Sequence, residues 1–268
     1  MVLRPLGSTG IQVSPLGLGT VKFGRNEQVK YPSSFEIPDD NAVRDLLALS
    51  HELGINLIDT APAYGNSEQR LGRLLPGSRD EWVIVTKVGE TFEKGHSSFD
   101  FSARATRESI EQSLRSLRTD YLDVVLIHSH GGDLKILRQD NVLETLRDLQ
   151  RRGLVRAIGM SSKTVEGGLL VVQECDLVMA TCNLDYNDEL PVLKAAAKAN
   201  KGVLVKKGLM SGHVKGAEGV SCSMEFIFSQ PGVSSMIAGT INPAHLRSNV
   251  AALEAVLEAV LEAVLGET

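Results

Sequence analysis

The chain has 268 residues, of which 43% are hydrophobic and 4% aromatic, and its formal net charge is -5. The negative charge argues against a nucleic-acid or membrane-surface protein, and the few aromatic residues provide no platform for stacked bases. The cysteines, Cys175, Cys182 and Cys222, are too sparse for a disulfide framework and indicate reduced thiols. With no signal-peptide pattern and no apolar stretch near the ~20 residues of a membrane span, the sequence predicts a cytoplasmic protein.

Short apolar runs alternate along the chain with longer segments of helical periodicity. Runs such as Val83–Val85 are apolar throughout, as expected for parallel strands that are buried on both faces. The predicted strands are Leu16–Gly19, Asn56–Asp59, Val83–Lys87, Leu122–His128, Val155–Gly159, Leu177–Thr181, Val203–Lys206 and Val233–Ala238. The clearest predicted helices are Asp39–Leu53, Ala103–Leu117, Asn141–Arg152 and Glu189–Ala199. This repetition predicts an α/β fold of the closed (β/α)₈ type, a TIM barrel, and leaves an open doubly wound sheet as the alternative.

Three further features lie outside this alternation. Leu3–Gly7 and Ile11–Ser14 predict an N-terminal β-hairpin that plugs the bottom of the barrel. Gly24–Asp39 is a long polar insertion after the first strand, so it is expected at the active-site end. Leu253–Leu265 repeats Leu and Val three and four residues apart, which favours a final amphipathic helix over a partner-binding coil. Since no linker is visible, the whole chain is predicted to form one domain.

Four reactive side chains follow the predicted strands where a barrel places its active site. Asp59 ends the second strand, Tyr64 follows in the next loop, Lys87 ends the third strand and His128 ends the fourth. Because the carboxyl ends of barrel strands face the same opening, these side chains should converge there. Each alone has an ordinary structural explanation, as a helix cap, a packed ring or a satisfied buried histidine. Their joint placement indicates a proton-handling site.

The combination of these side chains suggests a specific chemistry. An unpaired buried charge is costly, and Asp59 is the natural partner of Lys87. Tyrosine has an ordinary pKa of about 10, and we expect Lys87 to lower the pKa of Tyr64 and so tune it as a general acid. With His128 hydrogen-bonding a substrate oxygen, the site would donate a proton to a carbonyl group that receives a hydride.

The run from Gly54 to Glu68, GINLIDTAPAYGNSE, followed by Leu71-Gly72, resembles the signature of the aldo-keto reductase family. The resemblance extends over nearly the whole chain, and its other parts are Gly7–Gly10, Lys87, Leu126–His128, Gly159–Ser162 and Gly239–Asn249. It implies a (β/α)₈ barrel and the reversible reduction of aldehydes and ketones to alcohols. It also implies a catalytic tetrad, Asp59, Tyr64, Lys87 and His128, and a cofactor that is usually NADPH.

The first predicted strand lacks a Rossmann fingerprint, because Gly17-Leu18-Gly19 is followed by no third glycine. The resemblance instead implies that loops of the barrel bind the dinucleotide. The implied contacts near the nicotinamide are Gly19, Thr20 and Asp59, with Ser161, Ser162 and Asn183 on its carboxamide. The implied contacts to the pyrophosphate and the adenosine end are Lys206, Lys207, Gly208, Leu209, Ser211, Gly239, Thr240, His245, Arg247 and Asn249.

Some of these positions depart from the family's pattern. Lys206 stands where many members place an aromatic ring that stacks on the nicotinamide, and with Lys207 it could instead attract the diphosphate. Gly239 and His245 stand where a lysine and an arginine often grip the 2′-phosphate, a role that Arg247 could take. Since no acidic residue for the 2′-hydroxyl is evident, NADPH is predicted, with NADH possible.

Two other functions are compatible with these residues. Lysines at strand ends, Lys87, Lys206 and Lys207, would also suit a Schiff-base lyase or aldolase. A cofactor-binding regulatory subunit is the third hypothesis. No metal site is predicted, because the histidines lack convincing carboxylate spacing. The expected partner is a small carbonyl compound, and the expected state is a monomer. The candidate residues of the substrate pocket are Val21, Phe23, Tyr31, Trp82 and Ser129, of which Trp82 starts its strand and favours a structural role.

Overall fold

The computed structural model describes residues 1–214 and 216–266 of the chain. Within them, eight parallel strands close a barrel in the order β3, β4, β5, β8, β9, β10, β11 and β12, with β12 paired to β3. The strands are β1 Arg4–Pro5, β2 Gln12–Val13, β3 Leu16–Gly19, β4 Leu57–Asp59, β5 Val83–Val88, β6 Glu90–Glu93, β7 His96–Phe99, β8 Leu122–His128, β9 Val155–Ser161, β10 Leu177–Thr181, β11 Gly202–Lys206 and β12 Val233–Ala238. The predicted TIM barrel is confirmed, and the open doubly wound sheet is wrong.

Helices cover the outside of the barrel. They are α1 Asp40–Glu52, α2 Ser67–Leu74, α3 Ala103–Leu117, α4 Asp133–Gln139, α5 Val142–Arg151, α6 Val165–Glu174, α7 Leu190–Lys198, α8 Gly216–Phe228 and α9 Pro243–Gly266. The four helices predicted between strands are present as α1, α3, α5 and α7. Helices α2, α6, α8 and α9 complete the alternation of strand and helix that a (β/α)₈ barrel requires, and α4 is an additional helix that precedes α5 in the connection between β8 and β9.

The N-terminal hairpin of β1 and β2 closes one end of the barrel, as predicted. The side chains of Leu6, Ile11 and Val13 are buried and belong to the same apolar cluster as the inward-facing Val124 and Leu204. Their burial fills the barrel interior at the end opposite the carboxyl ends of the strands, so the interior is a packed core and only the other end is open.

The long polar segment Gly24–Asp39 is anchored at both of its ends by one side chain, Arg70 of α2. The Arg70 guanidinium donates hydrogen bonds to the carbonyl oxygen of Phe23 at 2.6 Å and to that of Pro38 at 2.7 Å. Its Nε also donates to Asp40 at 2.8 Å. Because the anchors lie beside β3 and α2, the segment lies at the active-site end, as expected.

A second hairpin, β6 and β7, follows β5 directly and was not predicted. Its turn uses Lys94 and Gly95, both with positive φ, of 51° and 79°. The side-chain amide of Gln28 donates to the carbonyl oxygen of Gly95. The hairpin therefore contacts the segment Gly24–Asp39, and its first residue, Glu90, lies close to the end of a barrel strand.

Helix α9 lies against the barrel through its first turns. Leu246, Val250 and Leu253 are buried in the main apolar cluster, and Val256 and Leu257 pack against it. This confirms the predicted amphipathic helix over these residues. The side chains at positions 261 and 263–266, in the last part of the predicted stripe, lie outside the described set. Among the described helices, none combines the length and the apolarity that a bilayer crossing needs.

Candidate active site

Asp59 and Lys87 form a buried salt bridge between adjacent strands. Asp59 is the last residue of β4, and Lys87 is the residue before the last of β5. Nζ of Lys87 lies 2.5 Å from Oδ1 of Asp59 and donates a second hydrogen bond to the carbonyl oxygen of Thr60 at 2.9 Å. The side chain of Lys87 is only 2% exposed and that of Asp59 only 7%. The predicted pairing is present, and it satisfies a lysine that would be costly to bury alone.

Tyr64 lies above this pair, in a 3₁₀ turn formed by Pro62–Tyr64. Nζ of Lys87 is 4.7 Å from the centroid of the Tyr64 ring. The Tyr64 and His128 ring centroids are 6.2 Å apart, and the rings meet edge to face at 85°. Gly65 holds the turn with φ of 62°, and a Cβ there would come within 2.1 Å of the carbonyl oxygen of Gly24. The four predicted catalytic side chains are therefore brought together.

The pKa of Tyr64 is raised well above its ordinary value. Burial of the phenol is the largest cause, and the negative charges of Asp59 and Glu90 act in the same direction. We expected Lys87 to lower this pKa, and the net direction is the opposite. The main reason is burial of the phenol, and the Asp59 carboxylate that pairs with Lys87 adds to it. The phenol consequently keeps its proton at neutral pH.

His128, at the end of β8, has a carboxylate partner that sequence reasoning missed. Its Nδ1 lies 2.8 Å from Oε2 of Glu90. Burial lowers the pKa of His128, and the contact with Glu90 opposes only part of that effect. Burial also raises the pKa of Glu90, but the His128 ring and the Ser97 hydroxyl outweigh it and lower that pKa to about 2. The pair therefore joins an ionised carboxylate to a largely neutral imidazole.

A cavity of about 560 Å³ opens beside Asp59 at the same end of the barrel. The predicted cofactor residues that line it are Gly19, Asp59, Lys206, Lys207, Leu209, Ser211, Gly239, Thr240, His245 and Asn249. The lining residues that sequence reasoning about the cofactor missed include Lys22, Pro32, Ser33 and Ser248. Two residues suggested only for the substrate pocket, Val21 and Tyr31, also line this cavity. The segment Gly24–Asp39 thus supplies one of its walls.

The remaining predicted cofactor residues do not line this cavity. Thr20 is fully buried and donates to the carbonyl oxygen of Asp59. The side-chain amide of Asn183 donates to the carbonyl oxygen of Lys207 at 3.1 Å, and its Oδ1 accepts from the backbone N–H of Tyr186. Gly208 packs against Met236 and Ile227. Arg247 is exposed and approaches Glu52 at 4.0 Å. Ser161 and Ser162 are buried beneath Lys206.

Lys206, at the end of β11, is turned toward these two serines. Its Nζ donates to Oγ of Ser161 at 2.8 Å and to the carbonyl oxygen of Ser162 at 2.5 Å. Burial lowers the pKa of Lys206 to about 7, and the charges of Lys207 and other lysines add to this effect, while Glu189 opposes it. A lysine with such a pKa is partly neutral near physiological pH.

The chemistry of the cavity fits a dinucleotide cofactor. Lysine ammonium groups and serine hydroxyls are suitable partners for phosphates, and the cavity presents Lys22, Lys207, Ser211 and Ser248. Gly19 and Gly239 have no side chain, so their backbone is accessible from the cavity. A Cβ on Gly239 would lie only 2.9 Å from the Tyr31 hydroxyl. Among the described residues, no group of three or more His, Cys, Asp or Glu side chains could hold a metal ion.

Comparisons with known proteins agree on one family. The model of the aldo/keto reductase family matches residues 15–221. A crystal structure from Pseudomonas aeruginosa, whose description assigns it to the aldo-keto reductases, is 55% identical with a TM-score of 0.88, over 96% of each chain. L-galactose dehydrogenase of Arabidopsis thaliana is 28% identical over 94% of this chain and 88% of its own length. NADH-specific methylglyoxal reductase of Escherichia coli is 30% identical over 78% of this chain and 69% of its own length.

Proposed function

The chain belongs to the aldo/keto reductase family, and on that premise we propose that it reversibly reduces aldehydes and ketones to alcohols with NADPH, using Tyr64 as the proton donor. Aldo-keto reductases are oxidoreductases that use nicotinamide cofactors, and the methylglyoxal reductase among the relatives is described as NADH-specific. The observation that carries the proposal is the placement of a protonated Tyr64 phenol beside Lys87 and His128. We treat residues 1–268 as a single catalytic domain.

The proposed step moves one proton from Tyr64 Oη to the substrate oxygen. When bound, the nicotinamide cofactor supplies the hydride that adds to the carbonyl carbon. As that bond forms, the π electron pair of the carbonyl moves to its oxygen, which takes the proton as the O–H bond of Tyr64 breaks. The product is an alcohol, and the phenolate left on Tyr64 takes a proton from water before the next turnover. A general acid in such a position typically contributes ~10²–10⁴ in rate.

Lys87 and Asp59 support this step without contacting the hydrogen that moves. Nζ of Lys87 lies 4.7 Å from the Tyr64 ring centroid, so its charge favours the phenolate as it forms and works against the opposing effects of burial and the Asp59 carboxylate. The hydrogen bonds to Asp59 and to the carbonyl oxygen of Thr60 keep the lysine side chain in one position. The resting phenol stays protonated, and the stabilisation is directed at the state in which charge develops.

The cavity residues named above would hold the cofactor. The lysines Lys22 and Lys207 make the cavity cationic, which favours phosphate groups. Asp59 is the one acidic side chain among the described residues that line it, so an acidic partner for a ribose 2′-hydroxyl is lacking there. We therefore favour NADPH. NADH stays open, since one relative is described as NADH-specific and Arg247 approaches Glu52 instead of the cavity.

A second candidate, a Schiff-base lyase, is favoured by one observation. The pKa of Lys206 is lowered by burial to about 7, so its amine is partly neutral and nucleophilic. Such an amine would attack a substrate carbonyl and form an imine with loss of water. Borohydride would reduce that imine and leave the substrate covalently attached to the protein.

One assay separates these candidates. NADPH and NADH absorbance is followed with a panel of small aldehydes, and a parallel sample without nicotinamide cofactor is treated with aldehyde and borohydride. The reductase proposal expects cofactor oxidation that depends on the aldehyde, and no Lys206 adduct by mass spectrometry. A borohydride-dependent adduct at Lys206 without cofactor oxidation would favour the lyase. Tight cofactor retention with negligible turnover would favour a regulatory subunit.

A further inference from the structure

The segment Gly24–Asp39 crosses the opening of the cavity, and two of its residues, Tyr31 and Pro32, line it. The Tyr31 hydroxyl lies over the backbone just after β12, where a Cβ on Gly239 would come within 2.9 Å of it. Pro32 lies beside the loop after β11, where a Cβ on Gly212 would be 3.6 Å from the proline Cδ. Since the segment begins close to the end of β3, it bridges the cavity from β3 to the ends of β11 and β12.

The two ends of this segment are fixed by hydrogen bonds, and its middle is not. Arg70 holds both ends through backbone carbonyl oxygens, as described above. The guanidinium of Arg25 adds hydrogen bonds to the carbonyl oxygens of Glu27 and Gln28. Residues 29–37 form no hydrogen bond with the barrel or its helices in the part of the chain that the structure describes. These residues, called the strap below, are free to move between two fixed ends.

Aromatic contacts with one lysine hold the strap over the cavity. Nζ of Lys22, in the 3₁₀ turn after β3, lies 4.0 Å from the centroid of the Tyr31 ring and 4.9 Å from that of Phe35. The two rings meet edge to face, with their centroids 5.6 Å apart. Cation–π contacts of this kind are individually weak. The strap can therefore leave the cavity without the loss of a hydrogen bond to the barrel.

Tyr31 lies on the catalytic side of the cavity. Its hydroxyl is next to Gly239, and a Cβ on Gly19 would lie 3.5 Å from the backbone of Gly239. Gly19 in turn pairs with Asp59 across β3 and β4. Electrostatics agree with this position, because after burial and Asp59 the next cause of the raised pKa of Tyr64 is Tyr31.

The Tyr31 hydroxyl is available to a bound molecule. Burial, and then the charge of Asp59, raise the pKa of Tyr31 to about 12, so the hydroxyl keeps its proton at neutral pH. It donates to none of the described residues, although the side chain lines the cavity. A protonated hydroxyl without a partner at the wall of a cavity is a hydrogen-bond donor for whatever occupies that cavity.

We propose that the strap closes over the nicotinamide half of the cofactor and that the Tyr31 hydroxyl donates a hydrogen bond to it. In the proposed reduction the hydride is delivered beside Tyr64, so the nicotinamide half belongs on the side of the cavity where Tyr31 lies. The acceptors of that half, the ribose hydroxyls and the adjoining phosphate, are common to NADPH and NADH. The strap thus slows the release of either cofactor without selecting between them. This role rests on the proposed use of a nicotinamide cofactor, but it does not depend on Tyr64 as the proton donor.

Cofactor binding to the full-length protein tests this contact without turnover. Calorimetry gives the Kd of NADPH and of NADH, and stopped-flow fluorescence gives their association and dissociation rates. Tyr31→Phe removes the hydroxyl and keeps the ring beside Lys22. Both cofactors should dissociate about fivefold faster from it, the factor that corresponds to one net hydrogen bond, with association unchanged. Tyr121→Phe, which removes a hydroxyl beside the start of β8 at the opposite end of the barrel, should match the wild type.

Trypsin cleavage after Lys30, an exposed residue of the strap, reports on the strap itself. Such cleavage follows the population of the open form when opening and closing are fast. Saturating NADPH should slow this cleavage in the wild type, and cleavage of saturated Tyr31→Phe should be about fivefold faster than that of the saturated wild type. Without cofactor the two proteins should be cleaved at the same rate, because the hydroxyl then has no partner.

The outcomes separate this role from the proposed function. Dissociation rates that are the same in Tyr31→Phe and the wild type, or cleavage that NADPH does not slow, would overturn the strap and leave the proposed reduction intact. Faster dissociation of NADPH alone would assign the hydroxyl to the 2′-phosphate and overturn its placement at the nicotinamide half. If the wild type bound neither cofactor, the strap and the proposed function would both be wrong.

Discussion

Nζ of Lys87 lies 2.5 Å from Oδ1 of Asp59, at the carboxyl ends of two adjacent barrel strands, and both side chains are nearly inaccessible to water. Because both side chains are buried, loss of either one should reduce the stability of the fold as well as the activity. A buried carboxylate that loses its cation is left with an uncompensated charge, and that state costs more than the net stabilisation from the intact pair.

Replacement of Lys87 by methionine should therefore reduce both stability and activity. We expect the free energy of unfolding to fall by about 3–5 kcal/mol, because the Asp59 carboxylate stays buried without a partner. Urea unfolding measures the loss, and Lys135→Met, at an exposed position on α4, serves as the control. A loss below about 1 kcal/mol, the size typical of an exposed ion pair, would contradict the assignment of a buried salt bridge.

Glu90 should contribute stability that disappears in acid. Burial raises the pKa of this carboxyl, but His128 and Ser97 outweigh it and lower the pKa from 4.5 to about 2. A depressed folded-state pKa stabilises the fold above the unfolded pKa, and this contribution is lost as the pH falls toward the folded value. Between about pH 6 and about pH 3.5 the loss amounts to about 1 kcal/mol.

Urea unfolding at those two pH values tests this. Glu90→Gln should lose less stability on acidification than the wild type by that amount, because a glutamine does not titrate. Glu93→Gln should follow the wild type, since its carboxylate is exposed and forms no salt bridge with any described residue. Equal acid sensitivity of Glu90→Gln and the wild type would show that the carboxylate is not held by His128 and Ser97.

Lys206 should give a trend of the same sign, at neutral to alkaline pH. Its pKa is lowered by burial from 10.5 to about 7. Between these values the unfolded chain binds a proton that the folded chain does not, so stability rises with pH across that window. In the wild type, the free energy of unfolding measured with urea should rise between about pH 7 and about pH 9, and Lys206→Met should remove part of that rise. Lys194→Met, at an exposed position on α7, should leave it unchanged.

If Lys206→Met and the wild type gained the same stability over this range, Lys206 would be an ordinary charged lysine. That result would also remove the one observation that favours a Schiff-base reaction.

Most barrel strands were predictable because they are short, mainly apolar runs bounded by polar residues or glycine. Strands such as β8, buried on both faces over Leu122–Ile127, carry a signal that no surface helix imitates. Helix α6 lacked a clear signal. It contains Gly167 and Gly168, which allow close approach to Asp133 and Val192 but weaken the helical pattern. The packing that stabilises it could not be read from its own residues.

The candidate site was predictable in its centre and not at its edge. Asp59, Lys87 and His128 end strands whose neighbours follow from the (β/α)₈ order, so their convergence with Tyr64 could be expected. Glu90 gave no comparable signal, because its hairpin has a Lys94-Gly95 turn in place of the usual Asn-Gly or Asp-Gly pair. Its contact with His128 depends on the position of that hairpin, which only the tertiary structure determines.

The central claim, that Tyr64 donates the proton, is tested most directly by Tyr64→Phe in full-length protein with NADPH and a small aldehyde. The substitution removes one hydroxyl group and keeps the ring between Lys87 and His128, so NADPH affinity and the urea midpoint should be unchanged. Tyr121→Phe, at the opposite end of the barrel, is the matched control and should keep wild-type activity. We expect kcat for Tyr64→Phe to fall by roughly 10²–10⁴. A kcat within about tenfold of the wild type, less than a general acid contributes, would contradict the assignment of Tyr64 as the proton donor.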